Sequence, residues 1–477
     1  MSLSGVDYLV IAAYLLAITA FGSWFARFQK TTRDYFLTGR SVPWWAICFT
    51  IVATETSTLT FIGVPAQTYA ANGNMAFLQL AAGYIIGRFI VSALFIPAYF
   101  RGELFTSYEL LQHRFGTRVK TLSAVIFLGT RSLADGIRLF TTALVISIVT
   151  QVPIPLVVIV LGAAMIVYTM RGGVSAVIWT DVVQMFIYVA GAIVIAAALL
   201  NRIDGGWSEV VRVGRETGRF VALNPTFDFR VPYTMLGATL GGIFIALSTH
   251  GTDQFLVQRL LSAKSQRDAS AGLVLSGFIV FAQFILFLLI GVMLYTYYQQ
   301  TPLPQPLGRP DQILPIFVVS ELQNGLAGFI VAAIVAAALS PSLNAMAATT
   351  VSDFYLPYFN PTADQATQMR VAKLATAGWG VVQLAVAIGA QAMQQSVLDA
   401  GLAVLSLAAG SILGAFLLGT LAPSLRERDV FAGMIAGVLV MVVVWWATPI
   451  AFTWYLIIGS GTTCAVAFLA HAVAPNG

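Results

Sequence analysis

A short polar run interrupts the second long apolar segment of the chain. Apolar residues flank Ala53-Thr54-Glu55-Thr56-Ser57-Thr58 on both sides, so Glu55 falls near the middle of a stretch long enough to cross a bilayer. A charged side chain at that depth costs about 2.5–3.5 kcal/mol and normally faces a protein interior or a water-filled cavity. Because lipid cannot satisfy free backbone groups, irregular backbone occurs at this depth only where it lines such a cavity. The run predicts a broken membrane helix with a polar site at the break, which is typical of secondary transporters.

The composition supports a membrane protein and excludes several other classes. Hydrophobic residues make up 58% of the chain and charged residues 9%, against roughly 25% charged in soluble domains. We therefore expect an all-α polytopic membrane protein in contact with the lipid bilayer. Metal-ligand clusters, nucleophile–base motifs and phosphate-binding glycine loops are missing from the sequence, which argues against a membrane-embedded enzyme. We also expect no organic cofactor. A basic tail is also missing, so we expect no nucleic-acid partner.

The apolar segments predict thirteen membrane-spanning helices. Each is roughly 18–30 residues long, enough to cross a hydrocarbon core of roughly 30 Å. The predicted spans are residues 5–27, 43–70, 76–100, 119–149, 154–170, 176–201, 233–250, 268–298, 325–356, 367–391, 396–420, 429–449 and 452–473.

The loops between these spans predict the orientation. Most of the 25 lysines and arginines fall in loops on one side, and such an excess marks the cytoplasmic side. The bias predicts a multi-pass protein of the plasma (inner) membrane with its N-terminus outside and its C-terminus in the cytoplasm.

Five sequence strings, in order along the chain, resemble the sodium:solute symporter family, which includes sugar, proline, sialic acid and iodide transporters. The similarity covers nearly the whole chain. The strings are DYFLTGRSVPWW (34–45), TSYELLQHRFG (106–116), YTMRGGVSAVIWTDVVQ (168–184), GTDQFLVQRLLSAK (251–264) and SLNAMAATTVSDFY (342–355).

This resemblance implies a leucine-transporter-like fold with two inverted five-helix repeats. The second and seventh spans are then the two broken helices. The implied division is 1–42 for a first peripheral helix and inside loop, 43–201 for the first repeat, 202–232 for an outside loop, 233–420 for the second repeat and 421–477 for two peripheral helices.

The resemblance also implies a sodium ion between the break in the second span and the middle of the ninth. The backbone carbonyls of Ala53 and Thr56 are the implied ligands on the second span. On the ninth span the family usually supplies two adjacent hydroxyl side chains, and those positions are Ala337 and Ala338 in this chain. This departure weakens the sodium prediction and leaves a proton as a rival coupling ion.

A second sodium position, found in part of the family, implies Asp181, Ser57 and Ser340 as ligands. A structural alternative exists for Asp181, because it begins the sixth span after Thr180 and an acid is favoured near a helix N-terminus.

Glu55 and His250 are the residues that we expect to act at the two breaks. Glu55 is predicted to couple transport to a cation or a proton, since a poorly solvated carboxyl has a raised pKa; a structural role and substrate binding are the alternatives. His250 precedes the expected break in the seventh span. At that position it is expected to line the substrate pocket, to carry a proton or to have a structural role.

Three charged residues share one face of the fourth span. Arg131, Asp135 and Arg138 stand at i, i+4 and i+7. They form either a salt-bridged cluster or, because of their surplus positive charge, part of a site for an anionic substrate. Asp253, at the inner end of the seventh span, belongs either to a salt-bridge network with the following basic residues or to a solvated loop.

These observations together predict a secondary active transporter that imports a small polar or anionic solute by alternating access, coupled to a cation, in the first place sodium. The alternatives are proton-coupled or uncoupled transport, or sensing of a solute without transport. Because the chain ends a few residues after its last predicted span, we expect no attached signalling domain.

Overall fold

The computed structural model describes residues 3–28, 31–101, 104–338, 342–392 and 397–473. Within these ranges the chain is helical and has no β-strand, apart from one isolated parallel bridge between Val42 and Ala263. The α-helices of the first half are α1 (Gly5–Trp24), α2 (Thr32–Leu37), α3 (Trp44–Glu55), α4 (Thr58–Tyr69), α5 (Phe77–Leu94), α6 (Ile96–Tyr99), α7 (Tyr108–Arg114), α8 (Thr117–Thr150), α9 (Ile154–Leu200) and α10 (Gly206–Glu216).

The second half has the same all-helical character, which confirms the predicted class. Its α-helices are α11 (Met235–Gly251), α12 (Gln254–Leu261), α13 (Gln266–Gln300), α14 (Ile313–Glu321), α15 (Leu326–Ala338), α16 (Leu343–Thr349), α17 (Gln365–Gly389), α18 (Val397–Leu421), α19 (Glu427–Ala447) and α20 (Tyr455–Val473). A π-helical segment, Thr350–Phe359, follows α16, and 3-10 turns occur at Phe25–Phe28, Thr38–Arg40, Pro310–Gln312, Ala390–Ala392 and Phe452–Trp454.

The membrane character of these helices follows from their length and composition. In the described part of the chain, nine helices are long and apolar enough to cross a bilayer, or ten if a bent pair counts as one span. Two shorter apolar helices, Met235–Gly251 and Leu326–Ala337, accompany them. The chain is therefore a multi-span helical protein, while the count of thirteen spans stays a prediction.

The fifth and sixth predicted spans are joined in one element, α9. The sequence predicted a loop between residues 170 and 176, but the 47 residues of α9 continue through it. At 1.5 Å per residue a straight helix of that length would measure about 70 Å, more than twice the core of a bilayer. Gly173, with φ 58° and ψ −159°, interrupts the helical conformation at one residue. Only glycine adopts such a conformation without steric cost, so a single residue replaces the expected loop.

The break predicted in the second span is confirmed. The helices α3 and α4 are separated by Thr56 and Ser57 and meet at a bend of 62°. The seventh span also breaks beside His250, where α11 ends at Gly251 and α12 begins at Gln254. The Asp253 side chain caps α12 by accepting a hydrogen bond from the Phe255 amide at 2.9 Å.

Close packing between α5 and α11 places the third and seventh spans next to each other near these breaks. A Cβ atom on Gly83 would overlap the Thr239 carbonyl oxygen, and one on Gly242 would overlap that of Leu80. These two glycines let the backbones approach closely, as small residues do between membrane helices. Side chains one or two turns further along both helices can therefore meet.

The first helix is attached to the start of α15, which belongs to the ninth predicted span. Asp7 accepts hydrogen bonds of 2.7 Å from the amides of both Gly325 and Gly328. A carboxylate at a helix N-terminus satisfies free amides and favours the helix dipole. This contact fixes the end of α15 relative to α1.

Candidate functional site

The break between α3 and α4 presents backbone oxygens to its surroundings. The Thr54 carbonyl oxygen accepts a hydrogen bond of 3.0 Å from Arg138, and that of Glu55 accepts bonds of 3.0 Å from the Ser57 amide and the Thr60 hydroxyl. In the part of the chain that the structure describes, no donor reaches the carbonyl oxygens of Ala53 and Thr56. The two backbone oxygens implied as sodium ligands therefore remain available to a cation.

Glu55 lies in a buried ionic cluster that joins three spans. Its carboxylate forms an ion pair with Arg88 of α5, and its other oxygen lies 3.2 Å from Nε2 of His250 of α11. Arg88 also lies 3.3 Å from the same histidine nitrogen. Arg88 and His250 are 0% and 1% exposed, whereas the Glu55 side chain is 14% exposed. The carboxylate thus has a compensating charge and still reaches the central space.

Arg131 forms the centre of a second ionic network. It pairs with Asp253 at the start of α12 and lies 3.5 Å from Asp135 on its own helix. Asp135 in turn accepts a hydrogen bond from the Ser342 hydroxyl and one of 3.4 Å from Gln383. The surplus positive charge predicted for this face of α8 is therefore balanced by Asp253, which lies in this network and not in a solvated loop.

Asp181 lies in a third network, on α9. It accepts a hydrogen bond of 2.6 Å from the Thr50 hydroxyl and forms an ion pair of 3.0 Å with Arg259 of α12. Thr54 lies 3.5 Å from the same carboxylate oxygen. Asp181 is fully buried and Arg259 is 3% exposed. The structure therefore brings Asp181 together with α3 and α12, while Ser57, named with it for the second implied sodium position, lines the central cavity.

A central cavity lies beside the break and connects several of the predicted residues. Its lining includes Glu55, Ser57, Arg131 and Arg138, together with apolar side chains such as Phe284. The volume is about 120 Å³, below the roughly 300–1,000 Å³ of typical ligand pockets. A solute of ordinary size therefore needs a movement of the surrounding helices to enter. His250 and Asp135 contact the groups that line this cavity.

The ninth span approaches the break through α15. The Thr58 hydroxyl donates a hydrogen bond of 3.2 Å to the Ile334 carbonyl oxygen, about one turn before Ala337. Ala337 is 2% exposed and contributes a methyl group where a hydroxyl was expected. Ser340 lies outside the described residues, as does the residue after it, so its predicted role stays a prediction.

The partners of these charged groups could not be identified from the sequence. Arg88, Arg259 and Asp253 each belong to a buried ion pair, but they lie on different helices from their partners. A usable signal was the presence of Arg88 and Arg131 inside apolar spans, because a buried arginine requires a partner. Thr50, Ser342 and Gln383 gave no signal, since hydroxyl and amide side chains are common at helix contacts.

Comparison with known proteins gives a consistent result. The model of the sodium:solute symporter family matches residues 35–437. The sodium/sialic acid symporter NanT of Aliivibrio fischeri is 30% identical over 486 residues, which cover 100% of this chain and 94% of that protein. The sodium-coupled monocarboxylate transporter 1 of Homo sapiens is 29% identical over 449 residues, which cover 90% of this chain and 72% of that protein.

A solved structure shows the same fold. It is that of a Na⁺-coupled sialic acid symporter in a substrate-bound outward-open state, with a TM-score of 0.91, 27% sequence identity and coverage of 98% of both chains. All of these matched proteins are transporters, and none is an enzyme.

Proposed function

Because the chain belongs to the sodium:solute symporter family, we propose that it imports a small polar or anionic solute by secondary active transport driven by sodium. The observation that carries the proposal is the broken second span, whose halves meet at 62° beside a cavity that Glu55 and Arg138 line. Broken helices with exposed backbone oxygens are the usual way in which such proteins bind ions and substrates near the middle of the membrane.

The proposed architecture has thirteen spans in the plasma (inner) membrane. The N-terminus is proposed to lie outside and the C-terminus in the cytoplasm. The two inverted repeats are residues 43–201 and 233–420. The interruption at Gly173 supports the count, because it divides α9 into two segments that are each long enough to span. The breaks beside Glu55 and His250 support the pairing of the second and seventh spans.

Sodium is proposed to bind where the break in the second span meets the ninth. The available carbonyl oxygens of Ala53 and Thr56 support this position, because sodium is a hard cation that prefers oxygen ligands. The contact between Thr58 and Ile334 brings α15 to the same place. Ala337 and Ala338 provide no hydroxyl oxygen, so the carboxylate of Glu55 is proposed to supply an oxygen ligand in their place.

Asp181, with Ser57 and Ser340, remains a second proposed cation position. Binding of a cation at this position requires a rearrangement, because Arg259 is paired with the Asp181 carboxylate and Ser57 lines the central cavity. A proton is the rival coupling ion, and the contact between His250 and Glu55 favours that alternative specifically.

The proposed solute site is the central cavity. Arg138, which lines the cavity and donates a hydrogen bond to the Thr54 carbonyl oxygen at the break, is proposed to bind an anionic group of the solute. His250 is proposed to support this site through Glu55. The relatives named for sialic acid and for monocarboxylates make carboxylate solutes the first candidates.

Alternating access is the proposed mechanism. Two ion pairs, Arg131 with Asp253 and Arg259 with Asp181, connect α12 to α8 and α9. Movement of α12 away from these helices would open the inner side, and both pairs would have to separate. A cation that orders the break would raise the affinity for the solute, and by linkage the solute would raise the affinity for the cation by the same factor.

Transport by reconstituted protein tests the proposal. Proteoliposomes with an inward sodium gradient are expected to accumulate labelled sialic acid or lactate, and a potassium gradient is expected to give no accumulation. Glu55→Gln should abolish accumulation but retain exchange of labelled for unlabelled solute, because the solute site stays intact while coupling to the cation is lost. Glu216→Gln, an exposed change on α10, is the matched control.

Three results would argue against this account. Accumulation that survives unchanged in Glu55→Gln would remove Glu55 from coupling. Accumulation driven by a pH gradient without sodium would identify the proton as the coupling ion. Solute binding without any uptake would favour a sensor.

A further inference from the structure

A second pocket lies at the other end of α4, on the side of the outside loop 202–232. Its lining includes Tyr69 and Asn72 at the end of α4, Arg219 after α10, and Tyr295 and Tyr298 at the end of α13. It has a volume of about 560 Å³ and shares no lining residue with the central cavity. Thr60 of α4 lines the central cavity and Tyr69 lines the outer pocket, so about 14 Å of helix separates the two pockets.

Arg219 is the buried cation of this outer pocket. It is 4% exposed, and its Nη1 donates hydrogen bonds to the carbonyl oxygens of Thr68 and, at 3.0 Å, Ala70. Its guanidinium carbon lies 3.3 Å from the centre of the Tyr295 ring. These contacts place a positive charge at the carbonyl end of α4, where the helix dipole favours it.

The charge of Arg219 has no acidic partner among the residues that the structure describes. None of the ion pairs found there includes Arg219, and its buried Nε has no hydrogen-bond partner. Arg212, on α10 of the same loop, differs: it pairs with both Glu209 and Glu216, and its hydrogen bond lowers the pKa of Glu209. A buried charge without a counter-charge is unfavourable, so Arg219 is suited to an external anion.

We propose that the outer pocket binds a small carboxylate anion. The planar guanidinium carries its N–H groups as a fork that matches a carboxylate. Nε is buried and has no hydrogen-bond partner among the described residues, so it reaches the anion after the side chain turns toward the pocket. The rings of Tyr69, Tyr295 and Tyr298 offer apolar surface for the rest of the molecule. This site is separate from the proposed solute site. The proposal does not depend on whether the transported solute is an anion.

Occupation of this site would act on the outer half of the broken span. The rings of Tyr69, at the end of α4, and Tyr295, on α13, contact each other edge to face with centroids 6.2 Å apart. An anion on Arg219 would touch residues of α4, α13 and the loop after α10 at once. Its binding therefore holds the end of α4 against α13 and stabilises the folded protein.

The test replaces sodium chloride by sodium acetate at constant sodium concentration and follows the melting temperature of the purified full-length protein. Acetate is expected to raise the melting temperature in a saturable manner, and acetamide, its neutral isostere, is expected to have no effect. Arg219→Gln should raise the acetate concentration for half-maximal stabilisation at least about tenfold, because it loses charge-assisted hydrogen bonds. Arg212→Gln should retain the wild-type response, which excludes the loop surface.

Arg219→Lys is the second variant in case Arg219→Gln does not fold. It keeps the positive charge at the end of α4 but loses the planar fork, so its acetate response should also weaken. A response that persists unchanged in the Arg219 variants would overturn the proposal. Equal stabilisation by chloride and acetate would overturn it as well. Transport activity does not enter this readout, so failure of the proposed transport function is detected separately.

Discussion

Two buried carboxylates of the membrane region, Glu55 and Asp181, differ in their access to the central cavity. Both carry an arginine partner from another span: Arg88 for Glu55 and Arg259 for Asp181. Glu55 is 14% exposed and lines the cavity, while Asp181 is 0% exposed and does not.

This difference separates two kinds of buried charge. A carboxylate that reaches a cavity can exchange one partner for water, a proton or a sodium ion without movement of a helix. An enclosed carboxylate can do so only if its partner leaves, and Arg259 is itself held by Thr50 and by the Phe255 carbonyl oxygen. Glu55 is therefore the more accessible coupling group of the two, and Asp181 is expected to respond only after α12 has moved.

The largest expected effect is that of Arg259→Met. This change leaves Asp181 buried without its counter-charge, which should lower the free energy of unfolding by about 3–5 kcal/mol. The melting temperature in detergent measures the loss. The double variant Asp181→Asn with Arg259→Met removes both charges and should recover most of it. If the single variant is as stable as wild type, Asp181 is not enclosed as the structure indicates.

A smaller loss is expected for Arg88→Met. Glu55 keeps His250 as a partner and can be hydrated from the cavity, so the loss should be about 1–3 kcal/mol. The same melting experiment, run beside Arg259→Met, measures the ratio of the two effects. Equal losses of unfolding free energy in the two variants would show that hydration from the cavity does not stabilise the unpaired Glu55 carboxylate.

The smallest expected effect concerns the ninth span. Ala337→Ser adds a hydroxyl where the family usually has one, and it should tighten sodium binding about threefold to tenfold, the worth of one hydrogen-bonding ligand. Sodium titration of the melting temperature provides the measurement. Ala336→Ser, a neighbour of equal burial, is the control. Unchanged affinity in Ala337→Ser would place the ion away from α15.

Much of the fold was predictable because its signals are local in the sequence. The length of the apolar segments predicted the all-helical membrane class. The polar run around Glu55 predicted the broken second span, which the bend of 62° confirms. Five short strings were sufficient for the family, which the match over residues 35–437 confirms. The missing loop at Gly173 was not predicted, because one glycine with positive φ does not change the hydropathy of its surroundings.

The site was less predictable because charge pairing depends on how helices are rotated and tilted against one another. The surplus positive charge on α8 was visible in the sequence, but its balance by Asp253 depends on where α12 begins. The pairing of Glu55 with Arg88 depends on the close approach of α5 and α11, which brings the third span against the seventh. Neither arrangement follows from residue spacing along a single helix.

The most direct test of cation coupling at the broken span is a sodium titration of thermal stability. The melting temperature of the purified protein would be followed against sodium chloride, with choline chloride holding the ionic strength constant, for wild type, Glu55→Gln and Asp181→Asn. We expect a saturable, sodium-specific rise in wild type that Glu55→Gln abolishes and Asp181→Asn largely retains. A rise that is unchanged in Glu55→Gln, or no response to sodium in wild type, would contradict the assignment of Glu55 as the coupling carboxylate.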